Sequence, residues 1–167
     1  MDPEIRATNL ALTQLSKQLD KLYHRYGTCC GLSDPAIWVL YSLYEEEEKT
    51  YTQNDLVSMW FYPKQTVNYT VNSLVQNGWI YLEQLPGGRN RKAIRLTPEG
   101  EEICREKILP LMLAEEQSLA RMSARERALL LHLTEKQLAY FEEEVEKIAG
   151  DKSKMWSSEN ARSKPGR

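Results

Sequence analysis

The sequence is poor in the residues from which catalytic and metal-binding sites are usually built. It has two histidines and three cysteines among 167 residues, and His24 and His132 lie far apart on segments that read as helices. It has no glycine-rich loop of the kind that cradles phosphates. The glutamate-rich runs have no neighbouring nucleophile or base. An enzyme is therefore the least favoured class of function, and we expect neither a metal site nor a cofactor.

The cysteines are Cys29, Cys30 and Cys104. Their odd number and their spacing argue against a disulfide framework and against a zinc site. The neighbouring pair Cys29 and Cys30 leaves a thiol sensor open. Two small residues where a helix passes into a loop are the simpler interpretation.

Long hydrophobic runs are also missing. The longest, AIWVLY at residues 36–41, is far too short to span a bilayer. The first ten residues, MDPEIRATNL, lack an apolar signal segment. With 41% hydrophobic and 28% charged residues, the composition is typical of a globular protein. We therefore expect a cytoplasmic protein without a membrane partner.

Positive charge is scarce overall, since the net charge is −2, but it is unevenly distributed. Residues 60–97 carry five basic side chains and one acidic side chain, whereas residues 1–59 carry five basic and nine acidic ones. Residues 98–150 are again acidic, with seven basic and twelve acidic side chains. The basic segment is therefore local, and a nucleic-acid partner is expected to contact it.

Residues 52–98 have the order of a helix-turn-helix followed by a wing. Thr52 and Asp55 form a capping-box pair at the start of a short helix. A turn at residues 61–63 leads into a second helix at about residues 63–77, which Asn77-Gly78 ends. Two strands joined by Pro-Gly-Gly then form a hairpin at about residues 79–97.

The second helix has one apolar face and one polar face. The apolar face consists of Val67, Val71, Leu74 and Val75. The polar face consists of Gln65, Asn68, Tyr69 and Asn72. Amide side chains can bond an adenine edge in two places. Solvated helix faces are usually rich in Glu and Lys, and this face has almost no charge. We therefore favour a DNA-reading face over an ordinary solvated one, with Lys64 suited to a phosphate.

The predicted wing carries most of the local positive charge. Its tip holds Arg89, Asn90 and Arg91, and Arg95 lies on the returning strand. Arginine at an exposed tip can enter a narrow minor groove or hold phosphates, although a tip that merely aids solubility is the alternative. We expect the wing to supply most of the electrostatic attraction to DNA. We expect the second helix to supply most of the sequence specificity.

Long helices flank this module and carry more apolar surface than a small winged core can cover. The first has a seam at three- and four-residue spacing, and Gly27 is expected to end it. A helix from Pro98 to about Arg121 is expected to bend at Pro110. A last helix follows Ser123 and bears a second seam. Homodimerisation would bury this surface, and the polar tail is expected to be disordered.

These features resemble the MarR family of bacterial transcriptional regulators. The resemblance covers about residues 7–148, and three stretches carry it. They are TQNDLVSMWFYPKQTVNYTVNSLVQNGWI at residues 52–80, RLTPEG at residues 95–100 and MSARERALLLHL at residues 122–133.

The resemblance implies a mainly α fold with a small β-hairpin wing (α+β) and a homodimer on pseudo-palindromic double-stranded DNA. The implied organisation has an N-terminal dimerisation helix, a winged-helix lobe, C-terminal dimerisation helices and a disordered tail. The corresponding ranges are residues 1–31, 32–98, 99–149 and 150–167. The implied function is a sequence-specific transcriptional regulator that acts as a repressor.

The resemblance also implies two sets of site residues. The DNA-binding residues carried over by position are Lys64, Gln65, Thr66, Asn68, Tyr69, Asn72 and Arg89, and the pattern of the wing tip adds Asn90 and Arg91. Family members often bind small aromatic or anionic effectors between the dimerisation helices and the DNA-binding lobe, which shifts the spacing of the recognition helices. Here the matching candidates are Tyr23, Tyr26, Trp38 and Tyr41. Aromatic residues at helical spacing are also common in a core, so both interpretations stay open.

Three residues depart from the family pattern, all at the joints of the module. Phe61 replaces a small residue, commonly Gly, in the turn, and Pro63 replaces a capping Ser or Thr. Gly88 replaces the Asp that usually holds the wing arginine. The alternative function is a winged helix that contacts a protein without specific DNA binding. DNA binding should weaken steeply as salt rises, which separates the two.

Overall fold

The computed structural model describes residues 2–45, 49–86 and 91–162, with the backbone alone described from residue 151. It contains two compact units, Met1–Ala114 and Glu115–Arg167. The described elements are α1 (Pro3–Cys30), α2 (Asp34–Glu45), α3 (Gln53–Trp60), α4 (Lys64–Gln76), β1 (Ile80–Gln84), β2 (Lys92–Leu96), α5 (Pro98–Lys107), α6 (Leu109–Ala120) and α7 (Ala124–Arg162). The predicted fold class, mainly helical with one β-hairpin, is confirmed.

Helix α2 is the centre of the first unit. Its side chains Ile37 and Leu40 are completely buried, and α1, α4, α5 and β2 all contact this helix. The residues that pack in the same core include Leu56, Val67, Val71, Leu74, Ile80, Ile94 and Ile108. Because α2 is apolar on most sides, it can be covered only by several neighbours at once.

Helices α3 and α4 form the predicted helix-turn-helix. The predicted capping box is present. The Thr52 backbone N–H donates to the Asp55 carboxylate at 2.7 Å, and the Asp55 backbone N–H donates to the Thr52 hydroxyl oxygen. The predicted end of α4 is confirmed, because Asn77 caps the helix and Gly78 has a φ of 75°. The assignment of Val75 to the core face was wrong, because this side chain is 37% exposed.

The position of Val75 on the helical wheel explains the difference. It lies roughly 80–100° from the centre of the buried stripe, because each helical residue turns by about 100°. Thr70 lies closer to the stripe on its other edge and is buried. The buried side of α4 therefore includes a threonine that apolar character alone did not indicate, while Val75 lies at the exposed edge.

The wing is an antiparallel pair in which Ile80 lies opposite Leu96 and Gln84 lies opposite Lys92. Tyr51 adds a single bridge on the far edge of β2, where its carbonyl accepts the Ile94 N–H at 2.8 Å. This bridge joins the segment before α3 to the hairpin, so the start of the helix-turn-helix and the wing are held together.

The predicted end of α1 was wrong, and the bend predicted at Pro110 is an interruption two residues earlier. Gly27 lies inside α1, buried close to Ile37, and α1 ends at Gly31 with a φ of 69°. The single helix expected from Pro98 is two helices, α5 and α6, which separate at Ile108. Ile108 comes two residues before Pro110, which has no N–H to donate to the carbonyl four residues earlier and whose ring clashes with that carbonyl. The interruption therefore falls N-terminal to the proline.

Part of the segment that was predicted to be a disordered tail is helical. Helix α7 continues to Arg162, so residues 151–162 are helical, whereas residues 163–167 lie outside the described part. The segment from Asp151 to Arg162 contains no proline or glycine and is rich in residues with good helix propensity. Its polarity, on which the prediction rested, does not oppose a helix.

The predicted apolar seams are exposed. On α1 they include Ile5, Leu12, Leu15, Leu19 and Leu22, and on α7 they include Leu130, Leu131, Leu138, Phe141, Val145 and Ile148. Within the described residues, no helix combines the length and hydropathy that crossing a membrane requires. The seams are regular enough to pack against another helix, since their three- and four-residue spacing follows one face.

The capping box gives a pH-dependent prediction. Hydrogen bonds from Thr52 hold the pKa of Asp55 below its usual value of 3.8, and the charges of Arg91 and Lys49 add to this shift. Because the folded pKa is lowered, the carboxylate stabilises the fold above pH 3.8 and this contribution is lost as the pH falls further. We expect Asp55→Asn to lower the free energy of unfolding at pH 7 by roughly 0.5–2 kcal/mol.

Urea denaturation at a series of pH values measures this effect. The difference between the wild type and Asp55→Asn should shrink below pH 3.8. Asp20→Asn, which alters an exposed carboxylate on α1, serves as the control. A difference between wild type and Asp55→Asn that stays constant down to pH 2 would contradict the role given to the ionised carboxylate.

Candidate nucleic-acid interface

The polar face of α4 is an exposed surface with a shallow groove. Gln65, Asn68, Tyr69 and Asn72 are all exposed, and Tyr69 reaches 78% exposure. Together with Lys64 they line the groove. Thr66, which was also predicted to contact DNA, is half-buried. Five of the six predicted helix residues thus share one concave surface.

Amide side chains are linked along this face. Asn72 donates through Nδ2 to Oδ1 of Asn68 at 2.8 Å, and Asn68 Nδ2 lies 3.5 Å from Oε1 of Gln53 on α3. The second contact is long, so it is a weak hydrogen bond that only helps to orient the Asn68 side chain. Sequence reasoning missed Gln53, because only the fold brings the start of α3 beside α4. The amides are therefore partly ordered before any ligand arrives.

The N-terminus of α4 is open. Pro63 occupies the N-cap position and makes no side-chain capping bond, so the first N–H groups of the helix keep no side-chain acceptor. Lys64, the first helical residue, is exposed. Free N–H groups, the positive end of the helix dipole and an ammonium group are together well suited to a phosphate oxygen.

The base of the wing positions Arg91. The Arg91 carbonyl accepts the Leu85 N–H at 2.9 Å and the Gln84 side-chain amide at 3.1 Å. The Arg91 side chain is exposed, and its charge acts on Asp55. It thus lies near the start of α3. The other two predicted wing residues, Arg89 and Asn90, lie outside the described residues.

Arg95 differs from Arg91 in how its charge is used. Its Nε donates to Glu83 at 3.2 Å across the hairpin, and its Nη2 donates to the Thr50 hydroxyl at 2.9 Å. Its side chain is only 29% exposed. One of the basic side chains counted in the wing therefore holds the wing to the segment before α3.

Three of the four predicted effector residues lie together. Trp38 lies between Tyr23 and Trp60, with ring centroids at 4.7 and 4.5 Å, and Tyr41 is 5.7 Å from Trp38. Sequence reasoning missed Trp60 as a member of this cluster. Its indole N–H donates to the buried Ser42 hydroxyl at 2.7 Å. The cluster thus joins α1, α2 and the end of α3.

Tyr26 has a different partner. Its hydroxyl donates to the Lys107 carbonyl at 2.9 Å, and burial is the main cause that raises its pKa to about 12. It fastens α1 to the end of α5. Cys104 is buried, and burial raises the pKa of its thiol to about 12. Cys29 is exposed and Cys30 half-buried. The described residues include no group of three or more side chains that could hold a metal ion.

Comparison with known proteins adds a family match. Residues 31–89 match the model of the MarR family. No curated protein sequence matches the chain.

Solved structures share the fold. Staphylococcus aureus MepR in its DNA-binding conformation has a TM-score of 0.69 at 18% identity, covering 80% of this chain and 98% of MepR. A MarR family regulator from Neisseria meningitidis has a TM-score of 0.63 at 21% identity, covering 85% of this chain and 98% of its own. NadR in complex with 4-hydroxyphenylacetate has a TM-score of 0.63 at 20% identity, covering 79% of this chain and 92% of NadR.

At these identities the solved structures establish the fold, while the family match rests on the winged-helix residues themselves. The matched segment contains α2, α3, α4 and β1. It therefore contains the whole groove described above. The chain therefore has the fold of MarR family regulators, and its residues 31–89 match the model of that family.

Proposed function

We propose that this protein is a sequence-specific DNA-binding transcriptional regulator, which acts as a homodimeric repressor. The observation that carries the proposal is the exposed, nearly uncharged amide face of α4 beside an uncapped helix N-terminus. MepR, which shares the fold, has also been solved as a MepR–DNA complex. A regulator of this kind acts on chromosomal DNA, so a cytoplasmic location is part of the proposal.

In the proposed complex, α4 enters the major groove. Gln65 and Asn68 lie toward its N-terminal end, where recognition helices contact base edges. Lys64 and the free N–H groups of the first turn hold a phosphate. The amide of Asn72 keeps the Asn68 side chain turned along the face, which lowers the entropy lost when Asn68 pairs with a base.

The wing supplies charge beside the helix. Arg91 is exposed at the base of the hairpin, and Lys92 next to it is exposed as well. Arg89 and Asn90 complete the proposed DNA-binding set. Because Arg95 is held by Glu83 and Thr50, it shapes the wing more than it attracts phosphate.

Homodimerisation is proposed from the exposed seams. Leucine and isoleucine side chains along one face of α1 are between 51% and 67% exposed, which is costly in water. The seams on α7 have the same character. A second copy would cover them and would present two recognition helices to a pseudo-palindromic site.

Release of DNA by a small aromatic or anionic effector is the last part of the proposal. The residues concerned are Tyr23, Tyr26, Trp38 and Tyr41. NadR has been solved with 4-hydroxyphenylacetate. In the present chain, Trp60 is both the last residue of α3 and a stacking partner of Trp38. A ligand that separated these rings would shift α3 against α2 and would favour one of two spacings of the recognition helices.

A protein-interaction winged helix is the second candidate function. The net charge of −2 and the single lysine of α4 favour it. Selection of bound duplexes from a random pool tests the leading proposal directly. We expect enrichment of a pseudo-palindromic sequence, and affinity that falls steeply with salt. Failure to retain any duplex at low salt would sink the DNA-binding proposal.

The base-reading role of α4 can be tested on the selected duplex. Gln65→Ala and Asn68→Ala should each lower specific affinity by roughly 1–3 kcal/mol, because each removes an amide that can bond a base edge twice. Gln76→Ala removes an amide at the other end of the same helix and should change affinity less. Fluorescence anisotropy measures the three. Equal losses for all of them, or none for Gln65→Ala and Asn68→Ala, would contradict the assignment.

The two arginines of the wing provide a matched comparison. Arg91→Ala should reduce the slope of log K against log salt by about 1, because one fewer cation displaces counterions from phosphate. Arg95→Ala should change the slope less, because Glu83 already compensates its charge. Anisotropy titrations between low and moderate salt give both slopes. A larger effect for Arg95→Ala would reverse the roles proposed for the two side chains.

The dimer can be tested with neighbouring residues of α1. Leu15 lies in the exposed seam and Gln14 lies beside it. Leu15→Glu should raise the dimer dissociation constant by at least about 100-fold, because it would bury an unpaired carboxylate. Gln14→Glu adds the same charge off the seam and should leave the dimer intact. Sedimentation equilibrium measures both, and a dimeric Leu15→Glu protein would exclude this seam from the interface.

A further inference from the structure

Phe61 combines an unfavourable backbone conformation with a fully exposed aromatic ring. Among the described residues, it is the one non-glycine residue with a positive φ, at φ 56° and ψ 23°. This left-handed region is unfavourable for any residue with a Cβ, apart from Asn and Asp, whose side chains can bond the local backbone. A phenyl ring has no such compensation. At 89% exposure, the ring is also almost entirely in water.

The turn itself explains the backbone of Phe61. The Phe61 N–H donates to the Val57 carbonyl at 3.0 Å and ends α3. The residues on either side, Trp60 and Tyr62, both pack against the core. The chain must reverse between them, and a left-handed residue at this position achieves that. Glycine would meet the same requirement without strain.

The turn does not explain the ring. No aromatic pair or cation–π contact of the described residues includes Phe61. The ring therefore adds no packing to the chain, while its Cβ makes the turn less favourable. Strained backbone conformations cluster at binding sites, and this one carries an exposed aromatic ring beside the candidate interface.

The position of Phe61 identifies the partner. It lies two residues before Pro63 and three before Lys64, at the uncapped end of α4. This is the end that the proposed function places in the major groove. The face of α4 beside it is polar and neutral, and it offers little apolar surface apart from Tyr69. DNA displays apolar surface at the thymine C5-methyl groups and the deoxyribose carbons, and phenylalanine is one of the side chains that packs on thymine methyls.

We propose that Phe61 is a further DNA-contacting residue, whose ring packs on apolar DNA surface at the edge of the site that α4 reads. The inference rests on the proposed function, since it needs α4 to bind DNA. It assigns the most exposed aromatic side chain of the helix-turn-helix to affinity rather than to folding. Stability and DNA affinity should then respond to the same substitution in opposite directions.

Phe61→Gly tests this opposition. We expect its Tm to rise by about 2–4 °C, because the left-handed strain is removed. We expect its dissociation constant for the selected duplex to rise by about three- to tenfold, because the apolar contact is lost. The gain in Tm excludes unfolding as the cause of weaker binding. Phe61→Leu keeps both the strain and an apolar side chain, so it should gain no stability and lose less affinity.

Thymine-to-uracil replacement in the duplex separates the two sources of apolar surface. If one uracil weakens the wild type and leaves Phe61→Gly unaffected, the ring contacts that methyl group. If no uracil has this effect while Phe61→Gly still binds less tightly, the contact is with deoxyribose. Phe61→Gly affinity within twofold of the wild type overturns the inference and points to a protein partner for the ring.

The outcomes also distinguish this inference from the proposed function. A wild-type chain that selects no duplex removes the proposed function, and the inference falls with it. Loss of affinity in Gln65→Ala and Asn68→Ala without loss in Phe61→Gly removes the inference alone.

Discussion

The burial of α2 is the constraint on which the first unit depends. Ile37 and Leu40 have no exposed surface, and burying each contributes roughly 1.5–3 kcal/mol. This helix is covered by α1, α4, α5 and β2 together. The rotation of α4 about its own axis is therefore determined by its buried face, where Val67, Val71 and Leu74 pack in the core. Turning α4 by one residue, about 100°, would bury Asn68 and expose a valine. Core packing thus determines which side chains of α4 are exposed on its polar face.

Attraction and selection are separated in the candidate interface. The reading face of α4 is neutral, and the exposed charges of the described interface are Lys64, Arg91 and Lys92. In a chain with a net charge of −2, such a small group acts over only about one Debye length, roughly 8–10 Å. Long-range steering is therefore weak. In the proposed complex with DNA, discrimination between sequences would depend on ordered amides, so the hydrogen bond between Asn72 and Asn68 would matter more than another lysine.

Local patterns predicted those parts of the fold that local chemistry determines. The Thr52–Asp55 capping box, the stop at Asn77-Gly78 and the polar face of α4 all follow from neighbours within one or two turns. The errors share a different origin. Gly27 remains helical because α2 packs closely against it, and the commitment of Arg95 to Glu83 and Thr50 requires residues that only folding brings together. Gln53 beside Asn68 belongs to the same class. The family resemblance predicted the arrangement of elements. It did not predict which side chains would form hydrogen bonds with one another.

The turn between α3 and α4 has a packed inner side and a strained outer side. On its inner side, Trp60 stacks on Trp38 and bonds Ser42, so the end of α3 is fixed to α2. Tyr62 is half-buried against the core, and this burial is the main cause that raises the pKa of its hydroxyl. On its outer side, Phe61 is strained and exposed, and Pro63 leaves α4 uncapped. The inner contacts supply enough stability for the outer side to depart from the best folding choices. A residue that lowers folding stability at an exposed joint is most simply explained by contact with a partner.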